Sequence, residues 1–245
     1  LKLTEAGRVA LDYADTVFEA GDELLMTMRG QLQSVRKVLR VGAITTLSRN
    51  FQIALLRPLI GRKDVEVIVR SGTMRELLTQ LEAHAIDLVL ANQPAARDAG
   101  TSWYSHLLQE QRVSIVGPPA LSDGPIRFPD DLASFPILLP SLDSDVRVAF
   151  DRIVELAGIR PNILAEIDDM AMLRLFARDS QCLALVPPVV VRDELIQGAL
   201  IEYCEVPQIT ESFYAITQRR RFPNPLVREV LESSLEEPTW SSGTK

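Results

Sequence analysis

Several short polar clusters in this chain could hold a small molecule. Thr45-Thr46-Leu47-Ser48, Gly72-Thr73, Ser141-Leu142-Asp143-Ser144 and Asp168-Asp169 each follow an apolar run and precede a helical pattern. At such a turn a hydroxyl accepts from the first free N–H groups of the helix, or turns instead toward a ligand. Free N–H groups and the positive end of the helix favour an anion. One N-cap needs one hydroxyl, and the Thr45-Thr46 turn offers more than one. Thr45, Thr46 and Ser48 are therefore candidate ligand contacts, with Thr73, Ser141 and Ser144 beside them. Asp168 and Asp169 pull the other way, because two carboxylates favour a cation, an amine or a hydroxylated molecule. Each of these residues, taken singly, also reads as a plain helix cap worth about 1 kcal/mol.

Catalytic machinery is not legible. His84 and His106 have no Cys or carboxylate company at metal-ligand spacing, so no metal is expected. His84 falls near a predicted helix end and reads as solvated or as a dipole partner. Cys182 and Cys204 lack a nearby His and read as reduced, buried thiols. No glycine-rich phosphate loop is present, and no cofactor is expected. The chain therefore reads as a non-enzyme. The run Arg219-Arg220-Arg221 reads as a solvated face, and a net charge of −7 argues against this piece gripping nucleic acid by itself. There is no run of about 18 apolar residues that could span a membrane. The chain opens with neither a signal peptide nor Met, which suggests a cytoplasmic fragment.

The elements that must position these clusters follow from periodicity. Residues 3–32 read as one helix with Thr4 as N-cap and a seven-residue repeat at Gly7, Leu11, Ala14, Phe18, Gly21, Leu25, Met28 and Leu32. Alternating spacings of 4 and 3 make the seam of a coiled coil, and so a dimerising helix. A strand–helix alternation follows. Strands are predicted at 38–44, 65–70, 86–91 and 112–116, with helices at 47–60 and after Thr73. There Thr73-Met74-Arg75-Glu76 spells a capping box. Asn92 to Ser102 reads as a polar loop.

Gly117-Pro118-Pro119 and Asp123-Gly124-Pro125 break the pattern and mark a crossover to a second lobe. That lobe is read as strand 137–139, a helix through Val146, Phe150 and Val154, and strand 162–167. A helix carrying Met172, Leu173 and Phe176 follows, then strand 183–186, a helix from Pro187-Pro188 to about Gln197, and strand 200–205. Val206-Pro207 marks the return crossover, and strand 213–218 with helix 225–236 completes the first lobe. The expected fold is α/β: two Rossmann-like lobes joined by two crossover strands, preceded by a long dimerisation helix. The boundaries are 1–34 for the helix, 35–117 and 208–245 for lobe I, and 118–207 for lobe II.

This order of parts carries a family likeness. Leu3-Thr4-Glu5-Ala6-Gly7 at the head of the helix, Gly72-Thr73, Leu78-x-x-Leu81 and Ile86-Asp87-Leu88-Val89-Leu90 resemble LysR-type transcriptional regulators. Ala85 stands where a glycine is usual. The resemblance implies a periplasmic-binding-protein-like effector domain. It also implies DNA binding through a winged helix-turn-helix domain absent from this chain, and assembly as a dimer or tetramer through the N-terminal helix. A small-molecule or ion effector would sit between the lobes at Thr45, Thr46, Ser48, Thr73, Ser141, Ser144, Asp168 and Asp169. Tyr13-Ala14-Asp15, Ala165-Glu166-Ile167-Asp168-Asp169, Val186-Pro187-Pro188 and Tyr214-Ala215-Ile216 are similar to the branch of the family that regulates a sodium/proton antiporter. That narrower likeness implies a response to sodium. A solute-binding protein of a transport system shares the two-lobed plan, but it predicts a signal peptide and no dimer seam.

Overall fold

Parallel strands buried on both faces read as unbroken apolar runs, and the first strand, β1 (Lys37–Ile44), has Leu39, Val41, Ala43 and Ile44 buried. The computed structural model describes residues 36–96, 103–122, 124–220 and 223–236, together with Thr4, Gly7, Ala10, Leu11, Ala14, Val17, Phe18 and Gly21. After β1 come α1 (Arg49–Leu56), β2 (Val65–Gly72), α2 (Met74–Glu82), β3 (Leu88–Ala91) and β4 (Trp103–Gly117). The second stretch holds β5 (Pro136–Pro140), α3 (Asp145–Leu156), β6 (Asn162–Ile167), α4 (Met170–Asp179) and β7 (Leu183–Val186). It continues with α5 (Arg192–Gln197), β8 (Ile201–Gln218) and α6 (Pro225–Glu236).

The strands form one mixed sheet in the order β2-β1-β3-β8-β4-β7-β5-β6. At one end β1 runs parallel to β2 and β3, and at the other β5 runs parallel to β6 and β7. Between them β4 and β8 pair antiparallel from Trp103↔Gln218 to Gly117↔Ile201, with register shifts that bend the ribbon. The chain thus crosses between the two halves on two adjacent strands. The core lies in two clusters, the larger of which draws on both halves. Leu138 and Ala184 face a cluster that includes Val41, Leu77, Phe213 and Leu173, while Ile137, Leu139, Leu183 and Leu185 face a second cluster around Phe150. This is the period-2 alternation of a strand buried on both sides.

Several expectations need correction. The predicted strands 112–116, 200–205 and 213–218 are parts of two much longer ones, because β4 begins at Trp103 and β8 runs unbroken through Val206. The helix expected over 47–60 spans Arg49–Leu56 and ends in turns. Pro187-Pro188 opens a 3-10 turn, Pro188–Val191, before α5. On α4 only Leu173 of the three marked residues is buried; Met170 and Ala177 share its face, while Met172 and Phe176 are exposed.

Arg220 does not lie on a solvated face. Its guanidinium donates to Asp87 Oδ1 at 2.8 Å and to the Ile86 carbonyl at 2.6 Å. Asp87 also accepts from the Arg40 amide at 2.8 Å. Asn224 joins the cluster by donating to the Val38 carbonyl at 2.8 Å, so β1, β3 and the approach to α6 are clasped together.

In the N-terminal segment Gly7, Ala10, Leu11, Ala14, Val17, Phe18 and Gly21 are helical, and the Gly7 amide donates to Thr4 Oγ1 at 3.1 Å. Phe18 is 73% exposed. Leu25, Met28 and most of 1–34 lie outside the described residues.

Candidate functional site

The turn after β1 is held by the Leu47 amide donating to the Ile44 carbonyl at 3.1 Å, and it leaves Thr45 and Thr46 half-buried. Ser48 is committed to α1, where its buried Oγ accepts from the Phe51 amide at 3.3 Å. Thr73 is likewise committed. Its Oγ1 accepts from the Glu76 amide and its own amide donates to the Glu76 carboxylate, closing the predicted capping box. Hydrogen bonds from the Thr73 amide and hydroxyl hold the Glu76 carboxyl below the usual range. Ser144 is the buried N-cap of α3, yet its side chain makes no cap bond; its amide donates to the backbone carbonyl of half-buried Ser141 at 3.0 Å. Asp169 caps α4 by accepting from the Met172 amide at 2.9 Å, and Asp168 is exposed.

The turns after β1 and β6 come from opposite ends of the sheet, and they meet. The Met170 amide approaches the Thr45 carbonyl at 3.5 Å, and Arg49 lies 3.7 Å from the Asp169 carboxylate. The same guanidinium donates to Ser71 Oγ at the end of β2, at 3.1 Å. The acidic pair is thus not bare, because Asp169 has both a helix amide and a cation. Behind this contact the two halves are stitched by a polar link. Buried Asn50 donates to the Val189 and Val190 carbonyls and accepts from Arg174, which also binds Asp193 and Glu194. Phe51 of α1 stacks on Phe213 of β8 with ring centroids 4.3 Å apart.

Sequence reasoning missed Arg49, Ser71, Asn50 and, above all, Glu211. Glu211 lies on β8 and is 4% exposed, and it accepts from Asn92 Nδ2 at 3.0 Å. Burial pushes its carboxyl up to about 7, with Asp145 adding to the rise and Asn92 opposing it. The signal was present: Ile209-x-Glu211-x-Phe213-x-Ala215 alternates, and a carboxylate on the apolar side of such a strand is out of place.

The free cysteines are not poised for nucleophilic work. Burial raises the Cys182 thiol, and burial with nearby Glu202 pushes Cys204 to about 11. Among the described residues no three or more of His, Cys, Asp and Glu come together as a metal-ligand group, and no helix is long and apolar enough to cross a membrane. A groove of about 440 Å³ lies away from the meeting of the turns, lined by Met74, Arg75, Leu78, Thr79, Glu82 and Trp103 among others.

A family model described as the LysR substrate binding domain matches residues 32–238. The chain belongs to that family. Its two-halved α/β sheet with paired crossover strands is the effector-domain fold of LysR-type regulators, as solved relatives show. The regulatory domain of HypT from Salmonella typhimurium, in its apo form, superposes with a TM-score of 0.67 at 17% identity, covering 83% of this chain and 98% of that one. CbnR, a LysR family transcriptional regulator, superposes with a TM-score of 0.64 at 15% identity, covering 95% of this chain and 81% of that one. In sequence the chain is 23% identical over 233 residues to the transcriptional activator protein NhaR of Escherichia coli strain K12, spanning 94% of this chain and 76% of that protein.

Proposed function

We propose that this chain is the effector-sensing region of a LysR-type transcription regulator, acting in the cytoplasm. A small ligand or ion bound between residues 35–117 with 208–245 and residues 118–207 sets how the two lobes close. The observation that carries this reading is the contact between the turns after β1 and β6, with Thr45 opposite Met170 and Arg49 opposite Asp169. Polar groups on both sides of a two-stranded hinge let one ligand favour a closed arrangement. A ligand shifts such an equilibrium only by its differential affinity for the two states. Thr45, Thr46, Ser141, Ser144, Asp168 and Asp169 are the ligand-facing groups in this account, with Ser48 and Thr73 fixing the helix ends beside them. The helix at 1–34 joins subunits into a dimer or tetramer, and DNA is contacted by a winged helix-turn-helix domain outside this sequence. The 23% identity to NhaR, a transcriptional activator, supports activation as the sign of control, and the acidic pair at 168–169 suits a sodium-linked signal.

A thermal-shift screen of sodium, lithium, amines and small carboxylates tests the reading. At least one should raise Tm, and Thr46→Val should abolish the rise. A rise that survives Thr46→Val places the binding site elsewhere and contradicts the assignment.

A further inference from the structure

Inward positions on β8 run Ile209, Glu211, Phe213, Ala215, all buried. Ile209 belongs to one core cluster, and Phe213 and Ala215 belong to the other. Glu211 therefore lies between the two clusters, on a strand that links the halves, with Asn92 just after β3 bonded to it from one half and Asp145 at the start of α3 acting on it from the other. Its described hydrogen-bond partner is the neutral amide of Asn92, and no Lys, Arg or His forms an ion pair with it among the described residues. Gln111 is its partner across the β4–β8 ladder. Cross-strand partners project from the same face of a sheet. Both Oε1 and Nε2 of Gln111 are sealed from solvent without a hydrogen-bond partner. Buried polar atoms left unpaired are costly, and each calls for an explanation.

A buried carboxylate without a counter-charge, with an unpaired amide on the same face whose oxygen and nitrogen exchange places by a simple flip, can turn two oxygens toward a positive group. We propose that Glu211 and Gln111 form the floor of the inter-lobe site and hold a small monovalent cation, either a bare alkali ion or the ammonium head of an amine. This rests on the reading of the inter-lobe region as the sensing site and names the chemistry it selects. One carboxylate balances one positive charge, whereas calcium takes six to eight oxygens, with carboxylates among them. Asp145 at the start of α3 adds negative potential, Asn92 and Gln111 are neutral, and His106 lies further along the ribbon with Thr217 at 2.9 Å. The cation competes with the proton that burial keeps on Glu211 to about pH 7. Binding is therefore weak at pH 6 and full at pH 8, a difference of roughly tenfold in apparent affinity from the ionised fraction alone.

The test is a thermal-shift titration of the chain with sodium chloride and with methylammonium chloride, at pH 6 and pH 8. Tetramethylammonium chloride, which is bulkier than methylammonium and has no N–H to donate, holds the ionic strength constant. The expected result is a rise in Tm at pH 8 that shrinks at pH 6, vanishes in Glu211→Gln and weakens in Gln111→Leu. A response to sodium alone identifies a bare ion, and a response to methylammonium alone identifies an amine. No response to either, or a response that persists in Glu211→Gln, overturns the proposal. Neither of those outcomes touches the sensing role itself, whose own test is the Thr46→Val variant against the wider screen.

Discussion

A carboxylate shut away from water loses its hydration, and Glu211 responds by keeping its proton up to about pH 7. The consequence for stability has a definite sign. Below the unfolded-state value, about 4.5, both states carry the proton and burial costs nothing extra. As pH rises from there to about 7, the unfolded chain releases the proton first and the folded state falls behind. Stability should drop across that window by about 3 kcal/mol and then level off. Urea unfolding of wild type and Glu211→Gln between pH 4.5 and 8 checks this, since the amide should remove that slope. Asp87 is the opposite case, a buried carboxylate satisfied by Arg220, Asn224 and the Arg40 amide. Removing it strands the Arg220 cation in the interior. Asp87→Ala should cost about 3–5 kcal/mol in the same unfolding measurement.

At the scale of elements, β1 must lie hard against α2. A Cβ at Gly42 would come within 2.8 Å of both Ile86 Cδ1 and Leu77 Cδ2, in side chains that are fully buried. Gly42→Ala should therefore destabilise by about 1–3 kcal/mol through overpacking, read as a lowered urea midpoint at unchanged slope. The elements legible in the sequence were those whose burial writes an apolar period. β1, β6, β7 and the capping box of α2 stand within a residue or two of their predicted limits. The outer half of β4 was not legible, because Tyr104, Ser105, Glu110 and Arg112 face solvent and supply no apolar alternation. That stretch is extended because β8 pairs with it, a tertiary cause that a local pattern does not record. Glu211 was overlooked for a related reason: the alternation from Ile209 to Ala215 marks an inward face only once the pairing of β8 with β4 is known. The Asn50–Arg174 link between the halves is equally non-local, since Arg174 joins α4 to a residue on α1.

For the whole molecule, the heptad of the N-terminal segment and the paired hinge strands make separate demands. The seven-residue repeat asks for a second helix, and the exposed Phe18 sits on it. Light scattering at tens of micromolar should give at least a dimer for the wild-type chain. Phe18→Asp should shift it to monomer while leaving thermal shifts by small ligands intact, because assembly and sensing use different surfaces. The hinge asks for something to close upon, and the account places it where the turns after β1 and β6 meet, not in the groove beside α2. Hydrogen exchange on the chain, with and without the compound that raises Tm most, decides between these places. Joint protection of the amides at 45–51 and 168–173 is the expected result. Protection confined to 74–82 and 93–103, with those two turns unchanged, would contradict it.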